Sequence, residues 1–166
     1  MRQQPRDVRP DLGADEPSAP DVRPDTVPSG DAAGYQPCPT NGDPCKILPL
    51  GDSITWGMGD EGNAGYRGPL FALTVAAQQK VTFTGSVSNG PNTVSWVTFP
   101  KKNEGHSGWT ISQIAGQIPS PATSSGSGGI PHIVLLMIGT NDVYASSGQA
   151  EMPNRLDSLL DKIIAA

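Results

Sequence analysis

Residues 133–139, Ile-Val-Leu-Leu-Met-Ile-Gly, form a continuous apolar run that ends on a glycine. A strand with apolar side chains on both faces needs cover on both, which predicts a central strand of a parallel sheet. A shorter run of the same kind, Lys-Ile-Leu-Pro-Leu at 46–50, ends at Gly51. Helical spacing of Leu70, Leu73, Val75 and Ala76 predicts a helix within 65–80, and residues 81–85 alternate as a strand does. Ile111, Ile114 and Ile118 share one face of a short helix over 110–118. The pattern at 152–166 predicts an amphipathic helix with Leu156, Leu159, Leu160, Ile163 and Ile164 inward. The order strand, helix, strand, helix, strand, helix implies a parallel α/β sheet with helices on both faces. In such sheets ligands bind at the carboxyl ends of the strands. Two polar runs fall there: Gly51-Asp52-Ser53 after the first strand and Gly139-Thr140-Asn141-Asp142 after the third.

The rest of the chain has a different texture. Only 36% of the 166 residues are hydrophobic, and the 17 prolines and 20 glycines are unevenly spread. Residues 1–36 hold six prolines, seven acids and four arginines, with Asp-Val-Arg-Pro-Asp at 7–11 repeated at 21–25. Such a stretch buries too little apolar surface to offset its ordering entropy, and it is expected to be a disordered Pro/Asp-rich linker. Residues 120–129, rich in Ser and Gly, are expected to be a flexible loop. The folded domain is then 37–166. A net charge of −5 without a Lys/Arg cluster disfavours nucleic acid and anionic membrane surfaces as partners. No stretch approaches the roughly 18 apolar residues of a membrane span, and the first residues lack the apolar core of a secretory signal. Nothing in the sequence sets the oligomeric state.

Cys38 and Cys45 lie close together in Cys-Pro-Thr-Asn-Gly-Asp-Pro-Cys, a turn-rich loop that suits a small disulfide clamp in an oxidising compartment; two free thiols are the alternative. Neither cysteine has a His or a second Cys pair nearby, so no metal is implied. The G-x-G-x-x-G pattern is missing after the first strand, so no nucleotide or other cofactor is implied either.

Ser53 is placed where a tight turn exposes a hydroxyl, and helix N–H groups starting there would face developing negative charge. A plain N-cap serves the same residue types, and five residues do not decide between the two. The Asn141 side-chain amide and the Gly85 N–H, each after a strand, are candidate hydrogen-bond donors; with Ser53 they would form an oxyanion hole for acyl transfer. Asn141 is equally at home as a turn residue.

Gly-Asp-Ser-Ile-Thr at 51–55, the Gly85 loop of Thr-Phe-Thr-Gly-Ser, and Gly-Thr-Asn-Asp at 139–142 resemble the first three blocks of the SGNH (GDSL-like) hydrolases, in order. The resemblance covers about residues 45–166. It implies a flavodoxin-like three-layer α/β/α sandwich and a serine ester hydrolase, with Ser53 as nucleophile, Asp52 supporting it, and the oxyanion hole made by Ser53, Gly85 and Asn141. Cys45–Gly59, Gly-Tyr-Arg-Gly-Pro-Leu at 65–70, Thr-Phe-Thr-Gly-Ser at 82–86 and Asn-Glu-Gly-His-Ser-Gly-Trp-Thr-Ile-Ser-Gln-Ile at 103–114 are further similar to the acetylxylan esterases of carbohydrate esterase family three. The implied substrate is an O-acetyl ester on a polysaccharide such as xylan, in an extracellular or envelope setting. Trp56, Tyr66 and Trp109 are candidates for stacking on sugar rings, with core packing the plainer use. Two alternatives stay open: a lipid or thioester hydrolase of the same superfamily, and a non-catalytic sugar-binding or envelope module.

The family's fourth block, Asp-x-x-His with the general base, has no counterpart here. His132 begins the third strand, about 20 Å of strand away from Gly139. His106 lies in a loop that could approach the active edge, where hydrogen bonding within the loop is the expected use. The expectation is an N-terminal part of a hydrolase domain, its sheet incomplete at the C-terminus and its base beyond Ala166.

Overall fold

The computed structural model describes residues 36–120, 128–145 and 148–166. The expected linker, apart from residue 36, and most of the expected loop at 120–129 lie outside the described residues. The elements are β1 (Cys45–Gly51), α1 (Ser53–Trp56), α2 (Arg67–Ala76), β2 (Val81–Phe83), β3 (Val87–Ser88), β4 (Thr93–Val94), β5 (Val97–Thr98), β6 (Lys102–Gly105), α3 (Ile111–Gln117), β7 (Ile133–Met137), α4 (Thr140–Tyr144) and α5 (Met152–Ile164). No helix among the described residues is long and apolar enough to cross a membrane.

β1 is the centre of the sheet. Along one edge it pairs with β7 in parallel from Ile47 to Gly51. Its other edge is shared: β2 pairs with Cys45–Ile47, and β6 takes over at Leu50 and Gly51, both parallel. β3 runs antiparallel to β6, and β4 with β5 makes a separate hairpin. β1 is apolar on both faces because both are covered. Leu48 and Leu50 pack with Ile111, Ile114, Ile118 and Leu159 of the α3–α5 side. Ile47 packs with Ala64, Phe71, Phe83 and Phe99 on the α2 side. Phe71, Phe83 and Phe99 meet edge to face, with ring centroids 5.6–6.3 Å apart. The result is the three-layer α/β sandwich expected from the sequence.

Three expectations are corrected. β7 was expected to be a central strand, yet among the described residues it pairs only with β1, and its side chains are at best half-buried. Ile133 and Leu135 pack on the α2 side and Val134 and Leu136 on the α3–α5 side, but its outer edge has no strand partner among the described residues. The α5 stripe is narrower than expected: Leu159 is buried and Ile163 partly so, whereas Leu156, Leu160 and Ile164 are exposed. β7 and α3 cover a single row of that helix. Finally, the region 86–105 holds β3 to β6, where no strand was expected. β6 is Lys-Asn-Glu-Gly and exists through pairing with β1 and β3 rather than through an apolar pattern.

Candidate active site

β1 delivers Ser53 by a turn that only glycine permits. A methyl group at Gly51 would lie 1.9 Å from the Met137 carbonyl oxygen and 2.6 Å from Thr55 Oγ1. Asp52, fully buried, then caps α1: its Oδ1 accepts from the Ile54 N–H at 2.9 Å. Its Oδ2 is buried with no hydrogen-bond partner among the described residues. Ser53 is therefore both the first residue of a helix, where an N–H has no partner inside the helix, and partly exposed.

The far end of α1 is held by a buried cation. The Arg67 guanidinium donates from Nε to the Thr55 carbonyl at 3.0 Å and from Nη2 to the carbonyls of Trp56 at 3.1 Å and Asn63 at 2.9 Å. Nη1 reaches the carbonyls of Asn89 at 3.2 Å and Lys101 at 3.3 Å, and Nη2 also reaches Asn89 Oδ1 at 3.3 Å. The Phe99 ring lies 5.7 Å away. Burial lowers the guanidinium to about 10, which leaves it charged at neutral pH.

Gly85 follows β2 at a φ of +131°, and a methyl group there would lie 2.2 Å from the carbonyl carbon and oxygen of Asn103 in β6. Any side chain would push the loop off β6. The next residue is tied to the same strand: Ser86 donates from N at 2.7 Å and from Oγ at 2.9 Å to the buried Glu104 carboxylate. The same carboxylate lies 2.7 Å from His106 Nε2. The His106 N–H donates to the Gly51 carbonyl at 2.9 Å, and the Trp109 N–H to the His106 carbonyl at 3.2 Å. Asn141 Nδ2 donates to the Trp109 carbonyl at 2.8 Å. An amide nitrogen carries two hydrogens, so one fixes the Asn141 side chain and the second is left to donate. A continuous series of hydrogen bonds thus links the Gly85 loop, the β1 turn and Asn141. Asp142 anchors the base of α4: buried, it accepts from the Ile111 N–H at 2.9 Å and pairs with Arg155 at 3.2 Å.

Ser53, at the start of α1, Gly85, in the loop after β2, and Asn141, in the first turn of α4, accordingly stand on the connections that follow β1, β2 and β7, with β1 hydrogen-bonded to both of the other strands. Because these strands are parallel, the three connections leave the same edge of the sheet. His132 is at the opposite edge, bonded through its N–H and Nδ1 to the main chain of Lys46 at 2.8 and 2.9 Å. The aromatic candidates have partners of their own. The Tyr66 hydroxyl is 3.2 Å from Thr55 Oγ1, and burial raises its phenol. Trp109 stacks on His106 with centroids 3.9 Å apart and packs against the α3–α5 core. Trp56 is half-buried, its carbonyl taken by Arg67 and Asn89. Cys38 and Cys45 are joined, S–S 2.09 Å. Glu104, Arg67 and Asp142 were not singled out from sequence; single buried charges in a short strand or in the first turn of a helix carry no periodic signal.

A parallel α/β sandwich with a serine opening a helix at the end of its middle strand, and Gly and Asn on the flanking loops, has the architecture of the SGNH hydrolases. The chain belongs to the GDSL-like Lipase/Acylhydrolase family, which it matches over residues 50–166. It is similar to the family 3 carbohydrate esterase of Clostridium thermocellum, with 32% identity and a TM-score of 0.55 over 73% of this chain and 59% of that one. A carbohydrate esterase family 3 protein from Talaromyces cellulolyticus gives 26% identity and a TM-score of 0.51, over 73% of this chain and 56% of that one. A multidomain esterase of Ruminococcus flavefaciens is 36% identical over 131 residues, 70% of this chain and 16% of the relative. The chain thus spans little more than half of the solved relatives and a small part of the multidomain one.

Proposed function

We propose that this domain carries the nucleophile and oxyanion hole of a serine esterase that removes acetyl groups from a polysaccharide. The observation that carries the proposal is the placement of Ser53, Gly85 and Asn141 at one sheet edge, with the Asn141 amide held by the Trp109 carbonyl. Ser53 Oγ attacks the ester carbonyl. The negative charge that develops on the carbonyl oxygen is met by the N–H groups of Ser53 and Gly85 and by the second Asn141 N–H. Collapse expels the sugar hydroxyl, and water then releases acetate from the acyl-serine. The Ser53 proton needs a base. His132 is at the opposite edge. The family resemblance assigns that role to the histidine of an Asp-x-x-His block. An extracellular or envelope setting, with residues 1–36 as a tether, fits the Cys38–Cys45 bond.

One observation favours a second reading. An apolar recess of about 490 Å³ lies along α2 and the unpaired edge of β7, lined by Tyr66, Leu70, Leu73 and residues 134–137. A recess of that lining would suit a longer acyl chain. The two readings differ in acyl-length preference. With p-nitrophenyl esters, the protein expressed from its complete reading frame is expected to turn over acetate at least about tenfold more efficiently than octanoate in kcat/KM. It is also expected to release acetate from acetylated xylan. Preference for octanoate would move the assignment to a lipid ester.

A further inference from the structure

Among the described residues, one large apolar side chain is more exposed than any other. Trp96 is 99% exposed, at the tip of the β4–β5 hairpin. The register Thr93↔Thr98 and Val94↔Val97 leaves a two-residue turn, Ser95-Trp96. Both residues have positive φ, +50° and +66°. That is the backbone of a type I′ turn, a position that Asn-Gly fills with least strain, and a bulky residue there is rare. The tip bears a tryptophan in a backbone region it disfavours while contributing nothing to the core, a combination that points to use at a surface. The root of the hairpin is fixed: Phe99 is buried in the aromatic cluster, Val94 packs beside it, and the Phe99 N–H bonds the Asn92 carbonyl at 3.0 Å. The indole is therefore held out on a rigid base.

We propose that Trp96 is a polysaccharide-binding platform, on which a neutral sugar ring of the polymer stacks so that the chain is held near the esterase site. The proposal rests on the carbohydrate reading above and names a site separate from Ser53. An indole offers a flat π face to the C–H side of a pyranose and an N–H at its edge to a hydroxyl. The surroundings suit such a ligand. Only Val97 adds apolar surface at the tip, and Asn92, Thr93, Ser95 and Thr98 are exposed beside it with hydrogen-bonding side chains. Two apolar residues fall far short of the roughly 800 Å² that each partner contributes to a stable protein interface. A net charge of −5 does not suit an anionic membrane surface.

The test uses affinity electrophoresis of the complete-reading-frame protein through gels containing soluble xylan, with p-nitrophenyl acetate hydrolysis measured in parallel. The double substitution Ser95→Asn with Trp96→Gly removes the indole and leaves the hairpin with a better turn; Trp96→Tyr retains an aromatic face. The wild type is expected to be retarded by xylan, with retardation weakened about tenfold in the double variant and largely kept in Trp96→Tyr. Hydrolysis of p-nitrophenyl acetate is expected to be unchanged in both. Equal retardation of wild type and double variant would overturn the proposal. So would an active wild type that xylan does not retard, or a wild type whose self-association is lost in the double variant. Retardation that depends on Trp96 in a protein without esterase activity would keep this site and refute the catalytic reading instead.

Discussion

Replacing Arg67 with Met is expected to lower the stability of the domain by about 4 kcal/mol, and the melting temperature by roughly 10–15 °C for a domain of this size. The side chain is fully buried and its partners are main-chain carbonyls from α1, the 57–66 loop and the segments that flank β3 and β6. Methionine fills much the same volume but donates nothing: the Thr55 and Asn89 carbonyls lose their side-chain donor, and those of Trp56, Asn63 and Lys101 are left to Asn89 and Asn103, each lost bond costing about 1 kcal/mol. Lysine keeps the charge yet presents three donors from one point, whereas these carbonyls surround a planar fork. Arg67→Lys is therefore expected to fall between wild type and Arg67→Met. Thermal unfolding followed by circular dichroism checks both. Unchanged melting of Arg67→Met would mean that α1 is held in place by packing alone. Because Arg67 touches the last carbonyls of α1, the variant is also expected to lose esterase activity below its melting point.

The second large effect concerns catalysis itself. In the protein expressed from its complete reading frame, Ser53→Ala is expected to reduce kcat/KM for an acetyl ester by at least about 10³-fold, since the acyl-enzyme cannot form. Asn141→Ala is expected to reduce kcat by about 10²- to 10³-fold with little change in KM, because in the proposed mechanism its second N–H donates to the transition-state oxyanion rather than to the bound ester. Steady-state kinetics on the folded variants separate the two. A loss confined to KM in Asn141→Ala would place the amide in substrate binding.

Much of this arrangement was legible in the sequence for physical reasons. β1 and β7 read as strands because parallel strands covered on two faces leave a continuous apolar signal. The positions of Ser53 and Asn141 after such strands, and of Gly85 after the alternating β2, were legible for the same reason. The region 86–105 was not. Its strands are two to four residues long and gain their structure from pairing with neighbours. Glu104 and Asn103, polar residues in a short stretch, read as loop but are buried. Their burial is compensated by bonds to Ser86, His106, Asn89 and the Gly105 N–H, distant or local partners that no periodicity announces. The sugar-stacking candidates show the same limit. Tyr66 and Trp109 have internal partners, whereas Trp96, which no motif marked, is the exposed one.

The proposed function turns on Ser53 being an activated nucleophile. The most direct measurement is labelling of the complete-reading-frame protein with a fluorophosphonate, followed by peptide mass spectrometry. One phosphonyl adduct is expected, on Ser53, forming in step with loss of esterase activity and absent from Ser53→Ala. An active protein that remains unlabelled at Ser53, or carries its adduct on another serine, would contradict it.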